Sequence, residues 1–121
     1  MKRDLDLVRK IVVEVQDMPP GYVLTSMDDV EESLFAEHVV LMQEAGLIDA
    51  FIQPYQSGEP PKVQVTRLTW DGQNFADLIS NDTVWNKVKA KVIKPGVSWT
   101  FGIFTELLKQ EAVKGFSSLG Q

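Results

Sequence analysis

The spacing of apolar residues changes at Gly46, and this change limits the possible folds more than any other feature of the sequence. Before it, residues 4 to 18 and 30 to 45 place their apolar side chains on one side of a helix. After it, the runs 47 to 55 and 62 to 69 are rich in β-branched and aromatic residues and flank a turn-rich segment. The pattern therefore predicts two helices followed by a two-stranded antiparallel hairpin.

Turn and capping residues mark the ends of the first two predicted helices. Pro19-Pro20-Gly21 ends the first, because proline cannot continue the helical hydrogen bonds. For the second, Asp29 is the predicted N-cap, Glu32 follows three residues later, and Gly46 lies just past the end. Residues 22 to 28 are compatible with either a short strand or a helical turn.

Three further helices are predicted after the hairpin. Thr69 is a natural N-cap for the first of them. A break at residues 80 to 82 precedes a second helix over residues 83 to 93, and Ser98 is the predicted cap of the last helix. Residues 115 to 121 are expected to form a frayed tail.

This order of elements predicts the fold class. Helix, linker, helix, hairpin and helix is the order of a winged helix-turn-helix domain, in which the helix before the hairpin is the recognition helix and the hairpin is the wing. We therefore predict a mainly α protein with a small β-hairpin (α+β), a winged helix-turn-helix-like domain with additional C-terminal helices. Residues 1–80 are predicted to form the winged-helix-like core, and residues 81–121 a helical extension packed on it within a single structural domain.

Several blocks of the sequence resemble one bacterial and phage family. They are the opening Met1-Lys2-Arg3-Asp4-Leu5-Asp6-Leu7-Val8-Arg9-Lys10-Ile11, His38 with the run Glu44-Ala45-Gly46-Leu47-Ile48, and Leu68-Thr69-Trp70-Asp71-Gly72 leading to Asp82-Thr83-Val84-Trp85-Asn86-Lys87-Val88. Through them the chain resembles the family known as domain of unknown function 2513. The resemblance implies a winged-helix-like fold, and it assigns no activity and no catalytic or binding residue.

Residue types needed for catalysis or for cofactor binding are sparse. The chain has one histidine and no cysteine, and no Gly-x-Ser-x-Gly motif. His38 falls on the apolar face of the second helix, so we interpret it as a core or boundary histidine. The acidic cluster Asp28-Asp29-Glu31-Glu32 is expected to complement a helix dipole and stay solvated. We therefore predict a protein that is not an enzyme and carries no metal and no cofactor.

Compartment and membrane contact follow from composition. The absence of cysteine suits a reducing compartment. No apolar run approaches the roughly 18 residues that a membrane span needs, and the start of the chain is charged rather than apolar. We expect a cytoplasmic protein without a membrane partner.

Charge is distributed unevenly along the chain. The first 80 residues hold 6 Lys and Arg against 14 Asp and Glu, whereas the remainder holds 6 against 3. No Lys or Arg occurs from residue 11 to residue 61, a stretch with ten carboxylates. The outward carboxylates of the predicted recognition helix are those of Glu32, Glu37 and Glu44. Because duplex affinity depends mainly on Lys and Arg at phosphates, DNA binding is disfavoured.

Basic residues elsewhere keep an alternative open, a dimeric DNA-binding transcriptional regulator. Its candidate nucleic-acid contacts are Lys87, Lys91 and Lys94 along one predicted helix, and Lys62 and Arg67 on the wing. The competing interpretation of the three helical lysines is a solvated polar face opposite an apolar one.

Surplus apolar residues favour a protein partner. Two valines fall toward the outer side of the second helix, and the last helix is apolar over a broader arc than one packed face requires. The predicted interface residues are Val39, Val40, Trp99, Phe101, Ile103, Phe104, Leu107 and Leu108. We therefore favour a small regulatory or adaptor protein that acts through protein–protein contacts, most simply as a homodimer. In the competing interpretation, the C-terminal helices fold back over this surface within a monomer.

Overall fold

The computed structural model describes residues 2–54, 57–94, 96 and 98–119, and for residues 115–119 the backbone alone. Its elements, in chain order, are α1 (Leu5–Asp17), α2 (Glu32–Glu44), β1 (Ile48–Gln53), β2 (Lys62–Leu68), α3 (Trp70–Ile79), α4 (Asp82–Val92) and α5 (Phe101–Leu119). The predicted order of helices and hairpin, and with it the α+β class, is confirmed.

The chain divides into two compact units, Met1–Ala76 and Asp77–Gln121. The first contains α1, α2, the hairpin and most of α3, and the second contains α4 and α5. The division falls within α3, near the boundary after residue 80 that the sequence indicates. The packing of residues 81–121 on the first part stays a prediction.

The two strands pair as the antiparallel hairpin that the sequence predicts. Pairing runs from Gln53 opposite Lys62 to Ile48 opposite Leu68. A β-bulge interrupts the register next to Asp49, and such bulges increase the local twist of a ribbon.

A strand-like residue from the linker joins β2 on the side away from β1. Leu24 and Val65 exchange both backbone hydrogen bonds, each with an N–O distance of 2.9 Å. Because Val65 exchanges both bonds with Leu24, its N–H and C=O groups point away from β1. The segment over residues 22 to 28 is therefore strand-like at this point, which decides one of the questions that the sequence leaves open.

The core of the first unit lies between α1, α2 and the hairpin. α1 contacts α2 and β2, and α2 contacts both strands. The buried residues of the two helices are Leu5, Leu7, Val8, Ile11, Val12, Val15, Phe35, Ala36, His38, Val39 and Met42. The expected outward position of Val39 is therefore wrong, whereas Val40 is half-buried. Because α1 and both strands contact α2, more of the helix circumference is buried than the single apolar stripe of a surface helix.

α2 begins two residues later than predicted. The N–H of Val30 donates to Met27 O at 3.1 Å, which makes a turn of the residues expected to open the helix. Asp29, the predicted N-cap, forms an ion pair with Lys10 of α1 instead. α2 starts at Glu32, and Glu31 at its N-cap position makes no side-chain cap hydrogen bond.

α5 also differs from prediction at both ends. The hydroxyl of Thr100 accepts a hydrogen bond from the N–H of Ile103 at 3.1 Å, so Thr100 rather than Ser98 caps the helix. The helix then continues to Leu119, through most of the segment that was expected to fray.

Gly72 lies where the first turn of α3 passes close to the start of β1. Thr69 Oγ1 accepts a hydrogen bond from Gly72 N–H at 3.0 Å, which confirms Thr69 as the N-cap of α3. Thr69 N–H donates to Leu47 O at 3.0 Å. A Cβ atom on Gly72 would lie 1.9 Å from the same Leu47 oxygen, a distance that the backbone cannot accommodate without moving. Glycine is therefore required here by space.

We expect Gly72→Ala to destabilise the protein by about 3 kcal/mol, because the added methyl group overlaps a backbone carbonyl. Gly102→Ala is the control, since a Cβ there meets Thr100 Oγ1 at an ordinary 3.7 Å and alanine favours a helix. Urea unfolding followed by circular dichroism measures both. A Gly72→Ala variant as stable as the natural protein would contradict the close approach.

Candidate functional site

His38 is fully buried, at 0% exposure, and both of its ring nitrogens have partners. Nε2 accepts the backbone N–H of Asp4 at 2.9 Å, and Nδ1 lies 2.9 Å from Leu34 O. Because Nε2 accepts, the ring proton is assigned to Nδ1, which donates to the carbonyl of Leu34. The prediction of a core histidine is confirmed. With both nitrogens engaged inside the protein, neither faces a substrate.

The partner of His38 is also the residue that starts α1. Asp4 Oδ1 accepts hydrogen bonds from the N–H groups of Asp6 at 3.0 Å and Leu7 at 3.2 Å, so Asp4 is the N-cap of α1. Its own N–H, which faces away from the helix, is taken by His38. Asp4 and the single histidine thus belong to one hydrogen-bond network that connects the start of α1 to α2.

The acidic cluster that precedes α2 is divided among local partners. The hydrogen bond from Lys10 lowers the pKa of Asp29 below its ordinary value. Ser33 Oγ donates to Glu31 Oε1 at 2.7 Å. Within residues 2–54, 57–94, 96 and 98–119, no three His, Asp or Glu side chains come together as a metal site would require.

Glu111 is the buried carboxylate of the second unit, at 7% exposure. Its oxygens lie 3.1 Å from Lys91 Nζ, 3.3 Å from Lys87 Nζ and 3.3 Å from Lys114 Nζ. The hydrogen bond from Lys91, supported by those from the other two lysines, lowers the pKa of Glu111 from 4.5 to about 2. Glu111 is not among the site residues that the sequence predicts, although its position three residues after buried Leu108 places it on the packed face of α5.

Glu111→Gln is expected to lower stability and to weaken its dependence on acid pH. The folded pKa lies below the ordinary value, so the carboxylate stabilises the protein above about pH 4.5 and loses this effect as the pH falls toward 2. The natural protein should therefore lose its advantage over the variant within that window. Melting curves from pH 2 to 7 measure this, with Glu106→Gln on the exposed side of α5 as control. A constant difference at every pH would contradict the ion-pair cluster.

The lysines named as nucleic-acid contacts are partly engaged in this cluster. Lys87 and Lys91 keep exposed side chains but both reach Glu111, while Lys94 is exposed. Lys62 and Arg67 lie at opposite ends of β2, about 16 Å apart along the strand. Arg67 pairs with the adjacent strand, its Nη2 lying 2.6 Å from an oxygen of Asp49. The basic side chains of the hairpin thus do not form one patch.

The apolar residues predicted for an interface separate into buried and exposed groups. Phe104 and Leu108 are fully buried, and the Phe104 ring packs edge-on against Trp85 with centroids 5.2 Å apart. Trp99, Phe101 and Leu107 are half-buried. Ile103 is 49% exposed, and Val113, which is outside the predicted set, is 61% exposed. Of the predicted set on α5, Ile103 is thus the residue most available to a partner.

Two exposed aromatic residues of the first unit were also missed. Trp70 is 82% exposed at the start of α3, and Phe51 is 70% exposed in β1. The alternation of β1 contained the signal for Phe51, because Phe51 shares a strand face with Asp49 and Gln53. For Trp70, the signal was its place directly after the capping residue Thr69, ahead of the apolar positions of α3.

The hairpin, the helices on either side of it in the chain and the internally bonded histidine define a small α+β protein. Within the described residues, none of the helices combines the length and the apolar content that crossing a bilayer requires. The sequence profile of the family described as "Hypothetical protein (DUF2513)" matches residues 2–98, and the chain belongs to this family. The family predicted from the sequence blocks is thereby confirmed.

One relative is described as an "Uncharacterized protein" of Haemophilus influenzae. It is 35% identical over 100 residues, which cover 76% of this chain and 79% of the relative. No solved structure gives a significant match.

Proposed function

We propose that this chain is a winged-helix module without enzymatic activity, which acts through protein–protein contacts as a small regulator or adaptor. The exposure of Trp70 carries the proposal, since 82% of this residue is in contact with solvent. Tryptophan is strongly enriched among the residues that dominate binding energy at protein interfaces. Phe51, on the outer face of the hairpin, adds a second exposed aromatic ring in the same unit.

The winged-helix part of the proposal is supported by the order of elements. α1, the strand-like Leu24, α2, the hairpin and α3 follow one another as in that class. The helix at the recognition position is α2, whose residues Glu32, Glu37 and Glu44 are exposed. Carboxylates at this position repel phosphates and suit a protein partner.

The alternative is a dimeric DNA-binding regulator, and the second unit would have to supply its phosphate contacts. Lys87 and Lys91 are the best placed, but Glu111 neutralises part of their charge. No observation specifically favours this alternative, so it serves as the competing outcome of the experiment.

Trp70→Ala is expected to remove a protein partner while leaving stability within about 0.5 kcal/mol, because the side chain packs little within the chain. The tagged full chain is purified from its native host, and retained proteins are quantified by mass spectrometry. We expect at least about tenfold less of the partner with Trp70→Ala and no change with Gln16→Ala, an exposed position on α1.

Retention of nucleic acid instead of protein would contradict the proposal. Sub-micromolar affinity for duplex DNA, with a steep salt dependence and loss in the Lys87→Glu, Lys91→Glu double variant, would establish the DNA-binding alternative. Recovery of neither protein nor nucleic acid would also count against a contact-based role.

Self-association through α5 is the simplest form of such contacts. Phe104, Leu108 and Glu111 make up the buried side of this helix. Ile103 and Val113 are exposed and lie about 80° apart around the helix axis, outside this buried stripe. A surface helix on a monomer needs one apolar stripe, whereas α5 also exposes apolar side chains outside that stripe.

Light scattering across a range of concentrations should show a homodimer, and Ile103→Lys should weaken the dimer by at least about tenfold, since a charge would enter an apolar contact. Gln16→Lys, an exposed change on α1, is the control. A natural protein that stays monomeric at every concentration would contradict self-association.

A further inference from the structure

The edge of β2 that faces away from β1 is covered at one position. Val65 pairs with Leu24 there, and within the described residues no other bridge to this edge occurs. Backbone groups in a strand alternate in direction, so the N–H and C=O groups of Val63 point to the same side as those of Val65. The strand register supports this orientation of Val65. Ala50 lies opposite Val65, and the N–H of Ala50 points away from β2 and donates to Gln43 Oε1 at 2.6 Å.

A groove runs beside this edge, between β2, the linker and the first turn of α2. Its volume is about 520 Å³, within the range of ligand-binding sites. Thr25, Ser26 and Val63 all line the groove, and after Leu24 the described residues of the linker form no further bridge to β2. Val30, which is half-buried, and the buried Phe35 and Ala36 of α2 also line the groove, and together they give it an apolar floor whose accessible part is Val30.

Charge around the groove favours a basic occupant. Glu32 lines it, and Asp28 lies in the same loop, between the lining residues Ser26 and Val30. Asp28, Glu31 and Glu32 are exposed carboxylates, whereas Lys62 is the basic residue among those that line the groove. Lys10 neutralises Asp29 in this loop, and the stretch from residue 11 to residue 61 itself contains no Lys or Arg. An extended segment with alternating basic and apolar side chains would match both the negative charge around the groove and its apolar floor.

We propose that the groove between β2 and α2 binds an extended, basic segment of a partner protein by strand addition. The segment pairs with the backbone of Val63 and places apolar side chains against the floor at Val30. It directs its Lys or Arg side chains to Glu32 and to the acidic loop that contains Asp28. The proposal rests on the proposed role in protein contacts, and it uses a surface separate in sequence from Trp70 and α5.

Fluorescence anisotropy with the full chain tests this inference. The probe is a fluorescein-labelled Lys-Val-Lys-Val-Lys-Val-Lys peptide, which should bind saturably and at least about tenfold tighter than the matching Glu-Val peptide. Ser26→Trp, which fills the groove, should weaken binding about tenfold, whereas Gln73→Trp, an exposed change on α3, should not. Glu32→Gln should weaken it about threefold more than Glu44→Gln, at the other end of α2.

A peptide with N-methyl groups on alternate residues separates strand addition from charge attraction. It is tested on the natural protein, so the result does not depend on how a variant folds. It should bind at least about tenfold more weakly, because it cannot complete the backbone hydrogen bonds. Equal binding of the methylated peptide, equal loss with Ser26→Trp and Gln73→Trp, or no saturable binding would each overturn the inference. None of these results bears on the partner lost with Trp70→Ala or on the dimer, so the two proposals can fail separately.

Discussion

The connection at Gly46 and Leu47 is the point on which the first unit depends. Gly46 adopts a φ of 78°, which ends α2, and Leu47 N–H returns to Met42 O at 3.0 Å. The carbonyl of Gly46 accepts the hydroxyl of Thr69, and the carbonyl of Leu47 accepts the N–H of Thr69. Two consecutive peptide groups therefore end one helix, begin β1 and hold the end of β2 and the start of α3. The absence of a side chain at Gly72 allows these elements to meet.

Elements whose signals are local could be predicted from the sequence. The period change at Gly46 and the hydroxyl of Thr69 act within a few residues, and both mark the boundaries that the structure shows. Predictions were wrong where a side chain binds a residue that is distant in the sequence. Asp29 has the chemistry of an N-cap, but Lys10, 19 positions earlier, binds it. Val39 is buried because α2 has neighbours on several sides, which the helical period alone does not reveal.

The same distinction applies to polar groups inside the protein. His38 could be assigned to a buried face, but its partner Asp4 lies 34 residues away, and no spacing rule connects the two. Glu111 was missed because a carboxylate on an apolar stripe is normally costly to bury. Here three lysines from α4 and α5 compensate that cost, and the same contacts reduce the charge that the second unit could offer to phosphates.

The two edges of the hairpin are protected differently, and this difference bears on partner choice. Gln43 covers the edge of β1 by accepting Ala50 N–H, and Leu24 covers the edge of β2 at Val65. An open strand edge invites pairing with another copy of the same chain. Beside the groove, however, every copy carries the same exposed carboxylates, so two copies would repel each other there. The charge that discourages self-pairing at this edge attracts a basic strand, and one acidic loop can thus both prevent aggregation and select a partner.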